Sequence, residues 1–408
     1  WSSDVCSSDL HCSGKGNAGS GHSGRRVRGR TRMKNTLGII IGFDSNNDLR
    51  ELSEHRPVAS VPFGGRYRVI DFMMSNLVNS GCYQVAVLMR DKYQSLLDHL
   101  GSGKDWDLSR KRGGMFLLPP NAFAPKSSPL VTENYRTSLE ALGSISDMLN
   151  KNKSEHVLIC SADIVANIPL DEVMKEHKKS EADVTIVCTK NPEGGAFDMF
   201  LGLSPRHEVE DIRNGDNMGG KCKYKSMGIY IMKRKYLQSL LSDCVTHNLR
   251  SFERDAMQHV FKRGDKVHGY VFDKYSAKIE NVKGYFSASM DMLDKDIRDQ
   301  VFLKNRPILT KIYDEAPTYY GEDAEVSDSL IADGSRIEGT VENSIIFRGC
   351  TIAKDAVVKD SIVLPNSSIG EGVELSYVVT DKGVTVRENR KMMGSATYPV
   401  AIAKNATV

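Results

Sequence analysis

The 408-residue chain lacks any apolar run close to the roughly 20 residues of a membrane-spanning helix. It also lacks a Cys-x-x-C pair, and none of its histidines stands at zinc-finger spacing from cysteines. Its eight cysteines are scattered, several of them in apolar runs where a thiol behaves as a small hydrophobic group. These absences argue against a membrane span, a zinc module and a disulfide framework, and we expect a protein of the reducing cytoplasm.

A strong excess of one charge is absent as well. The formal net charge is +3, but residues 1–32 carry six basic and two acidic side chains, a net +4, which leaves about −1 for residues 33–408. The larger part of the chain therefore gives no electrostatic reason to expect nucleic-acid binding. Residues 1–32 are rich in Ser, Gly and Arg and have no apolar signal core, so we expect a disordered or artefactual leader before Met33. The alternative is a basic arm that binds nucleic acid.

The spacing of apolar residues after this leader predicts an α/β domain over residues 33–300, with a mostly parallel, mixed sheet. The predicted strands are Leu37–Ile41, Gln84–Met89, His156–Ser161 and Asp183–Thr189. The predicted helices are Val69–Asn79, Lys92–Leu100, Ser138–Leu149 and Leu170–Lys178. Because ligands of such sheets bind at the carboxyl ends of strands, the loops at 42–50, 90–91 and 162–168 should border one pocket.

The pattern changes after residue 323, where aliphatic side chains recur every six residues. Such a repeat over several turns is typical of a parallel β-helix, in which the aliphatic residues fill a triangular prism. We therefore predict a β-helix over residues 324–408 and a linker over residues 301–323, against the alternative of β-hairpins, which would alternate with period two. The repeating positions are Ile331 and Ile337; Ile346, Ile352 and Val358; Val357, Val363 and Ile369; and Val373 and Val379.

The segment Leu37–Gly81 has the frame of a nucleotide site, because an apolar strand is followed by a loop and then by the start of a helix. Its second half, VPFGGRYRVIDFMMSNLVNSG (Val61–Gly81), closely resembles a motif of the glucose-1-phosphate adenylyltransferase (ADP-glucose pyrophosphorylase) family. SMGIYIM (Ser226–Met232) and ASMDML (Ala288–Leu293) resemble two further segments of that family. The resemblance implies a Rossmann-like nucleotidyltransferase domain followed by a left-handed β-helix, assembling as a tetramer.

The first half of the same segment departs from the family. Active members carry Gly-Gly-x-Gly-x-Arg after the first strand, where the glycines let the backbone approach the triphosphate and the arginine offsets the charge of the leaving pyrophosphate. In register with that motif this chain has the six residues from Phe43 to Asp48, without glycine, and Asp48 replaces the arginine. A carboxylate beside a triphosphate reverses the sign of the interaction. The family's phosphate-binding lysine falls on Val58.

Other site residues that the resemblance implies are also altered. The family's catalytic aspartate corresponds to Glu140, for which a solvated or pocket-edge helix residue is the favoured reading over a base. The two metal-ligating aspartates correspond to Asp163 and Asn281. Because magnesium in such sites is held by one or two carboxylates and by phosphates, Asp163 remains as a candidate ligand, unless it caps the helix that begins near Pro169. The Glu-Lys-Pro string that holds the sugar phosphate is absent.

These losses fall on the triphosphate, metal and sugar-phosphate positions, while the scaffold strings persist. The selective loss resembles the GlgD-type subunits of the family, which implies a regulatory, non-catalytic subunit in the synthesis of ADP-glucose from ATP and glucose 1-phosphate for glycogen. The implied partner is a catalytic GlgC-type subunit in a heterotetramer, with Mg²⁺ expected in that partner. The alternative is a chain with adenylyltransferase activity of its own. A free-standing β-helix acyltransferase is disfavoured, because the β-helix stretch has no catalytic histidine.

Three sets of residues are binding candidates under this resemblance. The first would line a vestigial sugar pocket, and the second is expected in a tight turn that positions the following helix. The third directly follows that turn and is the candidate set for a phosphorylated effector, because the guanidinium group suits phosphate. The sets are, in this order, Ser226, Met227 and Gly228; Gly64 and Gly65; and Arg66 and Arg68.

Overall fold

Two bodies of β-structure follow each other along the chain in the computed structural model, which describes residues 33–43, 49–120, 135, 137–190, 198–215 and 222–408. The first is a mixed sheet covered by helices, and the second is a coil of short parallel strands. Both predicted fold classes are therefore confirmed. The six cysteines within the described residues are buried free thiols. In that part of the chain no helix is long and apolar enough to cross a membrane.

The sheet of the first body is buried on both sides. Strand β1 lies between β4 and β6 and runs parallel to both. Its residues Leu37 and Ile39 belong to one apolar cluster and Ile40 belongs to another, which explains the unbroken apolar run in the sequence. The strand order is β10-β9-β11-β6-β1-β4-β5, with β8 paired to β11 and β12 paired to β8. Two further pairs, β2–β3 and β7–β13, form separate two-stranded sheets. The strands of the first body are β1 (Thr36–Ile41), β2 (Pro62–Phe63), β3 (Tyr67–Arg68), β4 (Gln84–Leu88), β5 (Gly114–Leu118), β6 (His156–Ser161), β7 (Ile164–Ala166), β8 (Val184–Thr189), β9 (Met199–Leu203), β10 (Val209–Asn214), β11 (Tyr224–Lys233), β12 (Val267–Phe272) and β13 (Ser276–Lys278).

The helices agree with the predicted pattern except at one place. The predicted helix over residues 138–149 is instead two short helices, α3 and α4, which meet at Ile145. There the Ser144 hydroxyl donates to the Ala141 carbonyl (2.7 Å), and such a bond competes with the backbone hydrogen bonds of a regular helix. The Ser146 hydroxyl does the same with the Gly143 carbonyl (2.6 Å). The helices are α1 (Val69–Asn79), α2 (Gln94–Leu100), α3 (Ser138–Ser144), α4 (Ser146–Lys151), α5 (Leu170–Ser180), α6 (Arg234–Thr246), α7 (Met257–Lys262), α8 (Val282–Met290) and α9 (Lys295–Val301).

The second body consists of three parallel sheets of five strands each, wound as a β-helix. One sheet contains β14, β17, β20, β23 and β26, the next contains β15, β18, β21, β24 and β27, and the third contains the remaining five. The strands are β14 (Tyr319–Tyr320), β15 (Glu325–Ser327), β16 (Leu330–Ile331), β17 (Arg336–Ile337), β18 (Thr340–Glu342), β19 (Ile345–Ile346), β20 (Thr351–Ile352), β21 (Val357–Lys359), β22 (Ile362–Val363), β23 (Ser368–Ile369), β24 (Glu374–Ser376), β25 (Val378–Thr380), β26 (Thr385–Val386), β27 (Lys391–Met393) and β28 (Val400–Ile402).

From β18 to β24 each coil of the β-helix takes 17 residues, since Val341 pairs with Val358 and Val358 pairs with Leu375. These three side chains point into the prism and are at most 2% exposed. The corner that follows them is turned by Asn343 and Asp360 on successive coils, with left-handed φ values of 44° and 45°. Asn and Asp tolerate this conformation better than other residues with a side chain.

The predicted inward set is wrong at one position. A uniform spacing of six places Val357 inside together with Val363, but Val358 is the fully buried residue and Val357 is partly exposed. The step from Val358 to Val363 is five residues, because the tight corner at Asp360 shortens that side of the prism. A slip of one residue turns a strand's side chains to the opposite face.

The two bodies share one apolar core and a buried ion pair. Phe63 and Tyr285 of the first body lie in the same cluster as Val379 of the β-helix. Beside this cluster Arg56 forms an ion pair with Asp381, and the two side chains are only 3% and 2% exposed. Because both charges are withdrawn from water, the pair is stable only while the two bodies stay in contact.

The stretch predicted as an interdomain connection packs along the first body. Arg306 is buried, and its Nη2 donates to the Ile168 carbonyl (2.8 Å). Its own carbonyl accepts a hydrogen bond from Asn167 Nδ2 (2.8 Å). Further along, the Leu309 N–H donates to Ser75 Oγ on α1 (2.8 Å). The chain thus enters the β-helix along a defined path.

Candidate functional site

A cleft of about 290 Å³ opens at the carboxyl ends of β1 and β6. The Ala162 N–H donates to the Ile41 carbonyl (3.1 Å), which holds the two strand ends together. This edge of an α/β sheet is where ligands bind, as predicted. Of the three loops predicted to border one pocket, the loop at 42–50 lines the cleft through Phe43, whereas the described residues at 90–91 and 162–168 are not in its walls. The walls of the cleft include Ile41, Phe43, Ser161, Gly228, Tyr230 and Glu253.

The part of the cleft next to the end of β1 is occupied by the aromatic ring of Phe43. Phe43 stands where the resemblance places the family's first glycine, and it is 7% exposed. Its ring centroid lies 5.3 Å from that of Tyr135, and the guanidinium carbon of Arg90 lies 4.9 Å from the Phe43 centroid. Val58, at the position of the family's lysine, is buried in the shared apolar core. Asp48 lies outside the described residues.

The two positions of the family's metal ligands have other contacts here. Asp163 is 3% exposed, and its Oδ1 accepts a hydrogen bond from Ser161 Oγ (2.5 Å). It does not cap α5, whose N-cap is Pro169, so that alternative is wrong. Asn281 is the N-cap of α8 and its Oδ1 accepts from the Gly284 N–H (2.8 Å). One carboxylate therefore remains at these two positions, and the amide at the other is engaged in capping. In the part of the chain that the structure describes, no group of three or more His, Cys, Asp or Glu could hold a metal ion.

Glu140 lies in the first turn of α3, beside the cleft. Its N–H donates to Oγ1 of the N-cap Thr137 (3.3 Å). The residues of this segment that line the cleft are Thr137 and Ser138. Glu140 itself is not among the residues that line the cleft, and its role stays a prediction.

A β-bulge in β11 shapes the floor of the cleft. The register between β11 and β8 shifts between Ser226 and Ile229. Within the bulge Gly228 has a φ of 64°, and its N–H donates to Ser226 Oγ (3.1 Å). A Cβ atom there would lie 3.2 Å from Ser161 Cβ, so both conformation and space favour glycine. Of the three predicted sugar-pocket residues, Gly228 lines the cleft, Ser226 supports the bulge, and Met227 packs into the apolar core.

Sequence reasoning missed the residues opposite this bulge. Phe252–Ala256 forms one π-helical turn before α7. This turn brings Glu253 close to the bulge, because a Cβ atom added to Gly228 would lie 3.4 Å from Glu253 Oε1. Burial and the Glu253 carboxylate raise the pKa of Tyr230 well above its ordinary value. The one signal in the sequence is the N-cap serine Ser251, whose Oγ accepts a hydrogen bond from the Arg254 N–H (3.2 Å). That pattern predicts a helix start and says nothing of a pocket.

A group of four charges lies directly before the bulge. Lys225 Nζ is 2.8 Å from Asp198 Oδ2, and Lys278 Nζ is 2.8 Å from Glu280 Oε1. The cross-contacts are 3.8 Å between Lys225 and Glu280 and 3.6 Å between Lys278 and Asp198. The Asp198 side chain is 2% exposed and that of Lys225 is 11% exposed. Two ammonium groups are thus neutralised internally by two carboxylates.

A second cavity, of about 180 Å³, lies between the β2–β3 turn and the β-helix. Gly64 and Gly65 form this turn with φ values of 56° and 82°. Both predicted effector residues line the cavity, Arg66 with an exposed side chain and Arg68 with a half-buried one. Arg68 Nη1 also donates to the carbonyl of Ser95 (2.5 Å).

The far wall of this second cavity adds further cationic groups. Arg348 and Lys382 line it from the β-helix. Burial, together with the nearby Arg68 and Arg56, lowers the pKa of Lys382 to about 7. His99 also lines it; its Nε2 lies 2.6 Å from a carboxylate oxygen of α1, and its buried Nδ1 has no hydrogen-bond partner in the described chain.

Comparison with known proteins matches both bodies. The nucleotidyl transferase family matches residues 38–295, more than half of the chain, and a GlmU-like C-terminal hexapeptide family matches residues 315–396. Glycogen biosynthesis protein GlgD of Bacillus subtilis (strain 168) is 31% identical over 372 residues, which cover 90% of this chain and 95% of that protein. GlgD of Geobacillus stearothermophilus is 34% identical, covering 79% of this chain and 82% of that protein.

Glucose-1-phosphate adenylyltransferases match to a similar degree. That of Clostridium perfringens (strain 13 / Type A) is 31% identical over 346 residues, which cover 82% of this chain and 85% of that enzyme. The chain therefore belongs to the nucleotidyl transferase family, in the group formed by glucose-1-phosphate adenylyltransferases and the glycogen biosynthesis protein GlgD.

Proposed function

We propose that this chain is a regulatory, non-catalytic subunit of a glucose-1-phosphate adenylyltransferase that serves glycogen synthesis in the cytoplasm. The observation that carries the proposal is Phe43, whose buried ring fills the space after β1 that glycine leaves open to a triphosphate in active members. A further observation supports it: Asn281, at the position of one of the family's metal-ligating aspartates, is engaged in capping α8.

The proposed partner is a catalytic GlgC-type subunit in a heterotetramer. That subunit would bind Mg²⁺ and join ATP to glucose 1-phosphate, releasing pyrophosphate. The relatives of this chain support such a pairing, because Geobacillus stearothermophilus has both a GlgD protein and a glucose-1-phosphate adenylyltransferase. The effect of one subunit on the activity of the other is an allosteric coupling through their interface.

We expect the isolated chain to release pyrophosphate from ATP and glucose 1-phosphate at least about 1,000-fold more slowly than a catalytic relative, because losing even one group that stabilises the transition state costs about 10²–10³ in rate. Mixed with the adenylyltransferase of Geobacillus stearothermophilus, it should raise the rate per catalytic subunit. A coupled assay of pyrophosphate measures both. Asp163→Asn is the control for trace activity: residual turnover that survives it comes from a contaminant. Turnover of the isolated chain close to that of the relative would contradict the proposal.

An adenylyltransferase activity of its own is the alternative, and two observations favour it. The cleft stays open on the Gly228 side, and Asp163 is retained at the end of β6. The same assay separates the two functions, because only the alternative gives turnover that depends on Asp163.

We propose in addition that the second cavity binds a phosphorylated effector. Arg66, Arg68, Arg348 and Lys382 line it together with one acidic residue, Glu315, and Arg348 is in addition paired with Asp333 (2.9 Å). The buried Nδ1 of His99, which also lines the cavity, offers a further polar contact. Because the cavity touches both bodies, an anion bound there would stabilise their contact.

Sulfate should bind this cavity about tenfold more tightly at pH 6 than at pH 8, because Lys382, with a pKa of about 7, is charged below that pH and neutral above it. Calorimetric titration at the two pH values measures the difference, and sulfate keeps its charge across that range. Lys382→Met should abolish the pH dependence, whereas Lys404→Met, which removes an exposed lysine nearby, should preserve it. Equal affinities at both pH values in the unaltered protein would contradict the assignment.

A further inference from the structure

A third cavity, of about 420 Å³, lies at the amino ends of three neighbouring strands. Lys34 and Asn35 line it directly before β1, and Gln84 lines it as the first residue of β4. The segment 151–154 lines it shortly before β6. Because β1 runs parallel to β4 and β6, this cavity lies at the edge of the sheet opposite to the cleft. It is therefore separate from the two sites described above.

Three cationic side chains line this third cavity. Lys34, Lys151 and Lys153 are all exposed there. Among the described residues of its walls none is acidic. Glu155 follows the lining segment in the chain but is not in the walls, and its Oε2 lies 3.8 Å from His156 Nδ1. A concave surface that carries charges of one sign concentrates ions of the opposite sign.

A guanidinium group bound to the wall of the cavity adds to this positive field. Arg234 Nε donates to the carbonyl of Ser154 (2.9 Å). Its Nη1 donates to the Leu149 carbonyl (2.9 Å) and to Gln238 Oε1 (2.8 Å). All three acceptors are neutral oxygens, so these hydrogen bonds leave the positive charge of Arg234 uncancelled.

Two side-chain amides in the walls are oriented by Ser154, which is buried. The Ser154 N–H donates to Asn152 Oδ1 (2.7 Å), and Ser154 Oγ donates to Gln84 Oε1 (2.9 Å). Both amide oxygens are thereby engaged, which leaves the two NH₂ groups as donors. Neither NH₂ group has a hydrogen-bond partner in the part of the chain that the structure describes. The cavity thus combines positive charge with unused N–H donors.

We propose that this third cavity binds the phosphoryl group of a small phosphorylated molecule. A phosphate monoester near neutral pH carries almost two negative charges and three strong acceptor oxygens, which match ammonium and amide donors. The volume lies within the range of small-molecule sites, roughly 300–1,000 Å³. Met148 in the wall offers an apolar contact to the rest of the ligand. This inference goes beyond the proposed function and does not depend on it.

The test is equilibrium dialysis of the full chain against radiolabelled glycerol 3-phosphate. The starting variant, Arg66→Gln/Lys382→Met, removes two cationic side chains from the second cavity, so that this cavity contributes little to binding. It should bind one glycerol 3-phosphate per chain, and excess glycerol should not displace the label, because glycerol has no charge. Adding Lys34→Met/Lys151→Met/Lys153→Met should weaken binding at least about 30-fold, since three charges next to the ligand are lost.

The matched control adds Lys175→Met/Lys262→Met/Lys304→Met to the starting variant instead. These three exposed lysines lie outside the cavity, and their loss lowers the net charge equally. Binding should change less than about threefold, because charges far from the ligand are screened by salt.

Gln84→Leu separates the amide donor from the lysines, because it keeps all three ammonium groups. In the starting variant it should weaken binding about tenfold, the usual loss when a hydrogen bond to a charged group is removed. Circular dichroism of each variant shows whether the fold is kept.

Four outcomes overturn the proposal. The starting variant binds no glycerol 3-phosphate, or glycerol displaces the label. Binding survives the loss of Lys34, Lys151 and Lys153 unchanged, or the matched control weakens it as much as that loss does.

Discussion

Arg56→Ala is expected to lower the free energy of unfolding by about 3–5 kcal/mol, because it leaves the Asp381 carboxylate buried without its counter-charge. The two side chains are 3% and 2% exposed, and they join the first body to the β-helix. Chemical denaturation followed by circular dichroism measures the loss. The β-helix and the sheet should also begin to unfold at different denaturant concentrations, since the contact between them is weakened.

Two control variants separate the buried pair from charge effects in general. Arg336→Ala breaks the exposed pair with Glu338, in which the side chains are 56% and 31% exposed, and should cost less than about 1 kcal/mol. Arg56→Met combined with Asp381→Leu removes both buried charges and should recover much of the loss. If Arg56→Ala costs no more than Arg336→Ala, water reaches the pair and it does not hold the two bodies together.

Phe43→Ala is expected to destabilise the protein by about 3–5 kcal/mol, the usual cost of removing a buried aromatic side chain. The ring packs on Tyr135 and under Arg90, and it belongs to the apolar cluster that contains Leu37 and Ile39. Thermal and chemical unfolding at pH 7 measure the change. A large loss would mean that the position of the family's glycine has become part of the hydrophobic core.

Phe43→Leu is the matched control, because it keeps most of the volume and should cost less than about 1.5 kcal/mol. Phe116→Ala removes the same kind of side chain from a site that is 38% exposed and should cost little. If Phe43→Ala is as stable as the unaltered chain, the ring is not a core element, and the observation that carries the proposed function is lost.

Local sequence signals predicted most of the first body. The helix Val69–Asn79 and the strand His156–Ser161 have the predicted bounds, because each carries a strong apolar pattern of the right period. The β-helix was predictable for the same reason, since its repeat recurs over several coils. Two details departed from the predicted pattern, because the spacing of apolar residues does not encode them. Serine hydroxyls that bond to backbone carbonyls around Ile145 divide one predicted helix into two, and the tight corner at Asp360 shortens one step of the repeat to five residues.

The candidate site was less predictable. The motif comparison identified Phe43 and Gly228 as positions of interest, and both line the cleft. It missed Glu253, which reaches the cleft from a turn distant in the sequence, and it missed Lys382 in the second cavity. The metal and catalytic roles that the resemblance attaches to Asp163 and Glu140 stay predictions.

The amino-acid sequence by itself determined the two fold classes and the family, because periodicity and motif strings are properties of neighbouring residues. It also located the loss of the phosphate-binding glycines. Only the tertiary structure decided what occupies the space they leave, which lysines are neutralised and which lysines line a cavity. The physical reason is that burial, ion pairing and cavities arise between segments far apart in the chain. Arg56 and Asp381, 325 residues apart, meet only when both bodies have folded.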